Sequence, residues 1–163
     1  MNKEISIKTY CAVLLTAILI SCASNPRDYE TRANRAKPYD MDKANAIVSM
    51  AKRMIGMPYR YGGSNPLEGF DCSGLVLFTH SQVSSGIPRV SKAQYAQSKT
   101  IALQDIQPGD LLFYRTASTP SHVTIYIGGR KFIHAPSSGK EVMIGSMDNP
   151  YFKTRLVKAG RLY

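Results

Sequence analysis

The chain reads as one α+β domain, with N-terminal helices packed on a mostly antiparallel sheet. Three observations predict this. Apolar residues recur at helical spacing between about Ala44 and Val83. From Pro108 onward they alternate with period two. The length, 163 residues, suits a single domain. Helices first and strands after is the α+β order.

The first helix is expected over Asp42 to Ile55, where Ala44, Ile47, Val48, Ala51, Met54 and Ile55 form an apolar stripe. Asp40 or Asp42 caps it, and Gly56 with Pro58 stops it. Turn residues fill Tyr59 to Pro66. A second helix is expected to start at Asp71-Cys72-Ser73 and end near Gly86, burying Leu75, Val76, Thr79 and Val83. Ser91-Lys92-Ala93-Gln94 fits a capping box and predicts a short third helix to about Ser98. Strands follow at Leu111–Tyr114, His122–Ile127 and Lys131–Ala135, with weaker ones at Glu141–Ile144 and Leu156–Leu162.

Hydrophobic residues make up 44% and charged residues 20%, enough to build a core without staples. No repeat or low-complexity run supports a collagen-like, coiled-coil or disordered chain. Three cysteines exclude a disulfide scaffold. The formal charge of +10 points to acidic partners or to a solvated basic surface.

The first 21 residues look like a removable targeting segment. Lys3 and Lys8 precede the apolar run Tyr10–Ile20, which is shorter than the roughly 20 residues a helix needs to span a bilayer. The run ends in Leu19-Ile20-Ser21-Cys22, which resembles a bacterial lipoprotein signal. That resemblance implies cleavage before Cys22 and lipidation of Cys22. Ala23 in the next position, by resemblance to lipoprotein sorting in two-membraned bacteria, implies an outer-membrane anchor facing the periplasm. Residues 22–40 read as a lipidated tether, polar and nearly free of apolar side chains. As a coil, its flexible part would span about 20–25 Å. The domain itself is expected over residues 41–163.

Cleavage sorts the cysteines. Cys11 leaves with the signal, Cys22 takes the lipid, and Cys72 is the one thiol left. A lone cysteine in an exported chain is a candidate reactive thiol. Removal of two Lys and one Glu with the signal leaves a charge of +9. Export makes an anionic wall and membrane surface its partner and excludes nucleic acid.

Cys72, His122 and His134 carry the candidate chemistry. Cys72 falls at a predicted helix start, where free backbone N–H groups and the helix dipole favour a thiolate. A thiolate nucleophile needs a base within hydrogen-bond reach. His122 shares a strand face with Thr124 and Tyr126, while Val123, Ile125 and Ile127 face a core. Loop parity decides whether His134 joins it. A two-residue loop at Gly128-Gly129 separates the histidines. A three-residue loop, Gly128-Gly129-Arg130, opposes Thr124 to His134 and makes the two histidines diagonal neighbours. The three-residue register is the expectation. In it Cys72 attacks a carbonyl, His122 holds the thiolate as an ion pair and protonates the leaving amine, and His134 orients His122. His80 reads as a packed core histidine. Cys and His are zinc ligands, but neither a CxxC nor an HxxxH spacing is present, so no metal and no cofactor is expected.

These residues stand in blocks that resemble the NlpC family of bacterial cell-wall cysteine peptidases, which have a papain-like fold. The blocks are Pro58-Tyr59-Arg60-Tyr61-Gly62-Gly63, Gly69-Phe70-Asp71-Cys72-Ser73-Gly74, Pro88-Arg89-Val90-Ser91 with Gln94, Pro108-Gly109-Asp110-Leu111, His122 to Gly128, and Phe132-Ile133-His134-Ala135. The resemblance covers about residues 41–163. It implies Cys72 as nucleophile, His122 as base and His134 as the orienting third residue. It also implies that Asp71, Ser73 and Ser91 help hold the substrate, and that Tyr59 or Tyr61 donates to the oxyanion. The implied substrate is the stem peptide of peptidoglycan, cut at a D-alanyl–diaminopimelate or a γ-D-glutamyl–diamino acid amide. The stretch Ser146-Met147-Asp148-Asn149-Pro150-Tyr151-Phe152 is similar to the murein DD-endopeptidase lipoproteins of the family. The short domain leaves no room for a separate wall-binding module, and a monomer is expected. Another papain-like amidase or acyltransferase, and a non-catalytic wall-binding lipoprotein, are the alternative readings.

Overall fold

The computed structural model describes residues 38–117, 120–137 and 139–163. The expected signal, Cys22 and the tether up to residue 37 lie outside the described residues. Helix α1 runs Met41–Arg53, and the Asp40 side chain accepts from the Lys43 amide at 3.1 Å. Ala44, Ile47 and Ala51 form its buried face. Two two-residue strands follow, β1 (Ser64–Asn65) and β2 (Gly69–Phe70), paired antiparallel. Helix α2 (Cys72–His80) starts where the sequence places it but stops six residues early. The polar run from Ser81 turns instead, with the Val83 and Ser84 amides both donating to the His80 carbonyl.

Helix α3 (Ser91–Gln97) forms without the expected capping box. Val90 occupies the cap position and offers no side-chain acceptor. The Gln94 amide nitrogen instead donates to the carbonyls of Ser73 and Pro88, at 3.0 and 2.8 Å, and ties α3 to the start of α2.

The large sheet has six strands: β3 (Lys99–Ile101), β4 (Leu111–Tyr114), β5 (His122–Gly128), β6 (Lys131–His134), β7 (Met143–Ser146) and β8 (Leu156–Arg161). Their order is β3-β8-β4-β5-β6-β7, with every neighbouring pair antiparallel. The strand β7 is therefore an edge. A four-residue helix, α4 (Pro150–Lys153), joins β7 to β8.

The β5–β6 connection reaches the expected register by another route. Gly128 pairs with Lys131, so Gly129 and Arg130 make a two-residue turn, both with φ of 58°. Positive φ at both central residues is what a type I′ turn demands. A bulge between Tyr126 and Gly128 then adds the extra residue, and Ile125 pairs with Ile133 and Tyr126 with Phe132. The parity is that of a three-residue loop, and the two histidines fall on one face.

Both faces of the sheet are covered. One packs Leu111, Phe113, Val123, Ile125 and Ile133 against Ala44, Ile47, Leu75 and Val76 of α1 and α2. The other buries Leu112, Tyr114, Tyr126 and Phe132 with Met147, and Phe152 of α4 packs against it. A buried ion pair pins the sheet to the turn before β4: Arg161 Nε and Nη2 donate to the two Asp110 oxygens at 2.7 and 2.8 Å. Two-pronged pairing of this kind is what a buried carboxylate requires. His80 is fully buried, with its ring nitrogens 3.1 Å from Thr79 Oγ1 and 3.3 Å from the Gly109 carbonyl. Burial lowers its pKa to about 4, so it is a neutral core histidine.

Candidate active site

Cys72 is the first residue of α2 and the one free cysteine among the described residues. Asp71 sets this helix start. Its Oδ1 accepts from the Gly74 amide at 2.7 Å, while the Leu75 amide donates to the Asp71 carbonyl. The amides of Cys72 and Ser73 then point at the thiol without intrahelical partners. Close approach makes this geometry depend on glycine: a Cβ on Gly74 would run into the Gly63 carbonyl. That carbonyl accepts from the Asp71 amide at 3.1 Å and from Arg89 at 3.2 Å.

Arg89 is the residue that sequence reasoning missed. It sits in the block Pro88-Arg89-Val90-Ser91, yet nothing in the sequence pairs it with Asp71, 18 positions away. In the fold its Nη1 and Nη2 donate to the two Asp71 oxygens at 3.0 and 2.8 Å, and Nη1 also reaches Ser73 Oγ at 3.1 Å. Burial works against ionising Asp71, but Arg89 and the Gly74 and Gly62 amides outweigh it and hold the carboxyl below its usual range. A cleft of about 420 Å³ opens here, lined by Tyr59, Tyr61, Asp71, Cys72, Ser73, Arg89, Ser91 and Ser121 among others. All five predicted substrate-side residues therefore border one cavity. Tyr61 stands at its rim, 86% exposed, whereas Tyr59 is half-buried. Burial raises the Tyr59 phenol pKa, and negative charge on Cys72 raises it further.

The thiol meets β5 at the residues on either side of His122. Its Sγ makes a long contact of 4.0 Å with the Ser121 carbonyl, and the Val123 amide favours its charged form. His122 Nε2 lies 2.9 Å from His134 Nδ1, with the rings 5.1 Å apart and near perpendicular. Phe152 covers the pair. Its ring stacks on His122 at 6.3 Å and meets His134 edge-on at 5.4 Å. Phe152 comes from a four-residue helix too short to leave a periodic signal. Beyond the pair a second cleft of about 670 Å³ runs past Lys140, β7 and Tyr151. Ser121 lines the first cleft and its neighbour His122 the second, and Ser121 Oγ bonds at 2.7 Å to Oγ1 of Thr116, which lines the second.

Burial acts on every ionisable group of this line. Burial pushes the Cys72 thiol up, and the amides of Val123, Ser73 and Cys72 offset this only in part. Burial also lowers His122 to about 3, with His134 adding to the shift. His134 falls to about 4 by burial and the nearby Lys140 charge. Each of these shifts, by its direction, favours the uncharged form of the group that carries it. The amides at the helix start favour the thiolate and burial disfavours it, and burial is the larger of the two.

A thiol at a helix start, beside the strand that carries one of two bonded imidazoles on an antiparallel sheet, defines a papain-like architecture. The chain belongs to the NlpC/P60 family, whose model its residues 56–161 match. It is 41% identical over 122 residues to murein DD-endopeptidase MepH of Escherichia coli, covering 71% of this chain and 45% of MepH. It is 37% identical over 124 residues to murein DD-endopeptidase MepS/murein LD-carboxypeptidase of the same species, covering 76% of this chain and 65% of that protein. The crystal structure of an NLP/P60-family protein, similar to lipoprotein, from Staphylococcus aureus superposes with a TM-score of 0.69 at 32% identity. That match covers 77% of this chain and 43% of the other. The chain thus spans less than two thirds of the length of each of these relatives.

Proposed function

We propose that this protein is a peptidoglycan endopeptidase of the cysteine type, cutting amide bonds in wall stem peptides or crosslinks. The observation that carries this reading is that Cys72, at the start of α2, meets Ser121 and Val123 on either side of His122, whose Nε2 lies 2.9 Å from His134 Nδ1. The names of the murein endopeptidase relatives support the substrate class.

The reaction is written from an uncharged thiol and imidazole. Sγ attacks the scissile carbonyl as its proton passes to His122. For His122 to accept on Nδ1, its Nε2–H donates to His134 Nδ1, and His134 keeps its own proton on Nε2. The backbone N–H of Cys72 and the Tyr59 phenol stabilise the oxyanion. The C–N bond breaks, His122 returns the proton to the leaving amine, and a thioester remains on Cys72. Water, deprotonated by His122, then hydrolyses the thioester. Asp71 is saturated by hydrogen bonds, so its part is to hold Arg89 and Ser73 at the cleft. Ser73, Ser91 and Tyr61 border the acyl-side peptide, and Arg89 offers it a cation for a carboxylate.

The candidate bonds are D-alanyl–diaminopimelate and γ-D-glutamyl–diamino acid. Lipid on Cys22 would hold the enzyme in the cell envelope, at the outer membrane facing the periplasm, acting as a monomer. The test is mass spectrometry of muropeptides after digestion of crosslinked peptidoglycan. New amine and carboxyl ends within the peptides, absent with Cys72→Ala, are the expected result. A freed glycan-terminal group or a transferred acyl chain would overturn the reading.

A further inference from the structure

The cleft beyond the imidazole pair has no assigned occupant in the reaction above. Its walls are His122, His134, Thr116, Ser137, Ser146 and Asn149 on the polar side, with Met143, Ile144, Tyr151 and Phe152 on the apolar side. Lys140 is the one cation in this lining, and no Asp or Glu joins it. Among the described residues Lys140 has no ion-pair partner. Its backbone is nevertheless fixed: its amide donates to the Ser137 carbonyl at 3.2 Å, and its carbonyl accepts from the Tyr59 amide at 2.8 Å.

We propose that this cleft binds the amine-side fragment of the substrate, and that Lys140 pairs with a free carboxylate on that fragment. The inference deepens the endopeptidase reading and rests on it. Reaction geometry supplies the first support. The carbonyl carbon bonds to Cys72, and the departing nitrogen must reach His122, so the fragment it carries lies against the His122–His134 wall. Charge supplies the second. An unpaired cation in a cleft without acids favours an anionic ligand. Its ammonium is close enough to His134 to help depress the pKa of that ring. Shape supplies the third. The volume of about 670 Å³ suits a peptide fragment, and one wall is the edge strand β7, where an extended chain can lie alongside. The exposed Met143, Ile144 and Tyr151 give apolar surface for its aliphatic stem. A diamino acid residue joins these properties: an amine in the scissile bond, an aliphatic chain and a carboxylate that stays free.

The test uses the full chain and two synthetic peptides, identical except that the amine-side carboxylate is free in one and amidated in the other. The wild type is expected to prefer the free carboxylate by about 10-fold in kcat/KM, the size of one well-placed ion pair. Lys140→Gln should abolish that preference, and Lys140→Arg should retain most of it. A wild type that cleaves both peptides equally, or a Lys140→Gln enzyme that keeps the preference, overturns the assignment of Lys140 alone. Failure of the wild type to cleave either peptide overturns the endopeptidase reading beneath it.

Discussion

The two sides of the proposed catalytic line are held by different physics. On the thiol side, Asp71 gathers Arg89, Ser73 and the Gly62 and Gly74 amides into a network of charged and polar bonds. On the imidazole side, the His122–His134 bond is enclosed by the rings of Phe152, Phe132 and Tyr114. The first arrangement fixes position through direction-dependent bonds and tolerates water. The second fixes it by packing, and by excluding water it also sets the proton affinity of the rings. Removing a member should therefore cost stability and binding on the thiol side, and shift pH dependence on the imidazole side.

The larger effect is expected from Arg89→Met. It leaves the mostly buried Asp71 carboxylate without its cation, a loss of about 1–3 kcal/mol. The midpoint of thermal unfolding should fall by several degrees, and KM should rise more than kcat falls. An unchanged midpoint and KM would break the contrast, because the polar network would then be idle. A smaller effect is expected from Phe152→Ala. Water reaching the imidazoles would relieve the desolvation that lowers them to about 3 and 4. Their pKa values should climb toward the ordinary 6.5, so the acid limb of kcat/KM should move to higher pH. A limb that stays in place would mean that Phe152 only packs.

The same values carry a stability consequence. His80, His122 and His134 are all depressed in the fold, so the unfolded chain binds more protons between pH 6.5 and about 4. Stability is full above 6.5 and falls as the pH drops toward 4. Asp71, also depressed, loses its share as the pH falls through its folded value. Thermal midpoints measured from pH 7 down to pH 4 should decline steadily, and a flat series would contradict neutral burial of these rings.

The sequence shows some parts of this molecule well and others not at all. Strand β5 is legible from its alternation and β4 as a short apolar run after the turn Pro108-Gly109-Asp110, and both match their expected ranges within a residue. The shared face of His122 and His134 is legible from parity, although a turn at Gly129-Arg130 plus a bulge produces it in place of a three-residue loop. Parity depends only on the count of residues between the pairs, which both routes satisfy. Strands β1 and β2 and helix α4 are two and four residues long, too short for a period. The pairing of Arg89 with Asp71, and the approach of Phe152 to His122, are made by tertiary packing. Cys72 at a helix start was legible, but its raised pKa was not, because burial is a property of the fold and not of the local pattern.

The central claim is that acyl transfer passes through Cys72. It is tested most directly by mixing the full chain with a stem-peptide substrate, quenching in acid within the first turnover, and measuring the mass of the peptide that contains Cys72. The account predicts an added mass equal to the acyl fragment, on that cysteine, appearing before free product and absent in Cys72→Ala. Product formation at the wild-type rate by Cys72→Ala would contradict it.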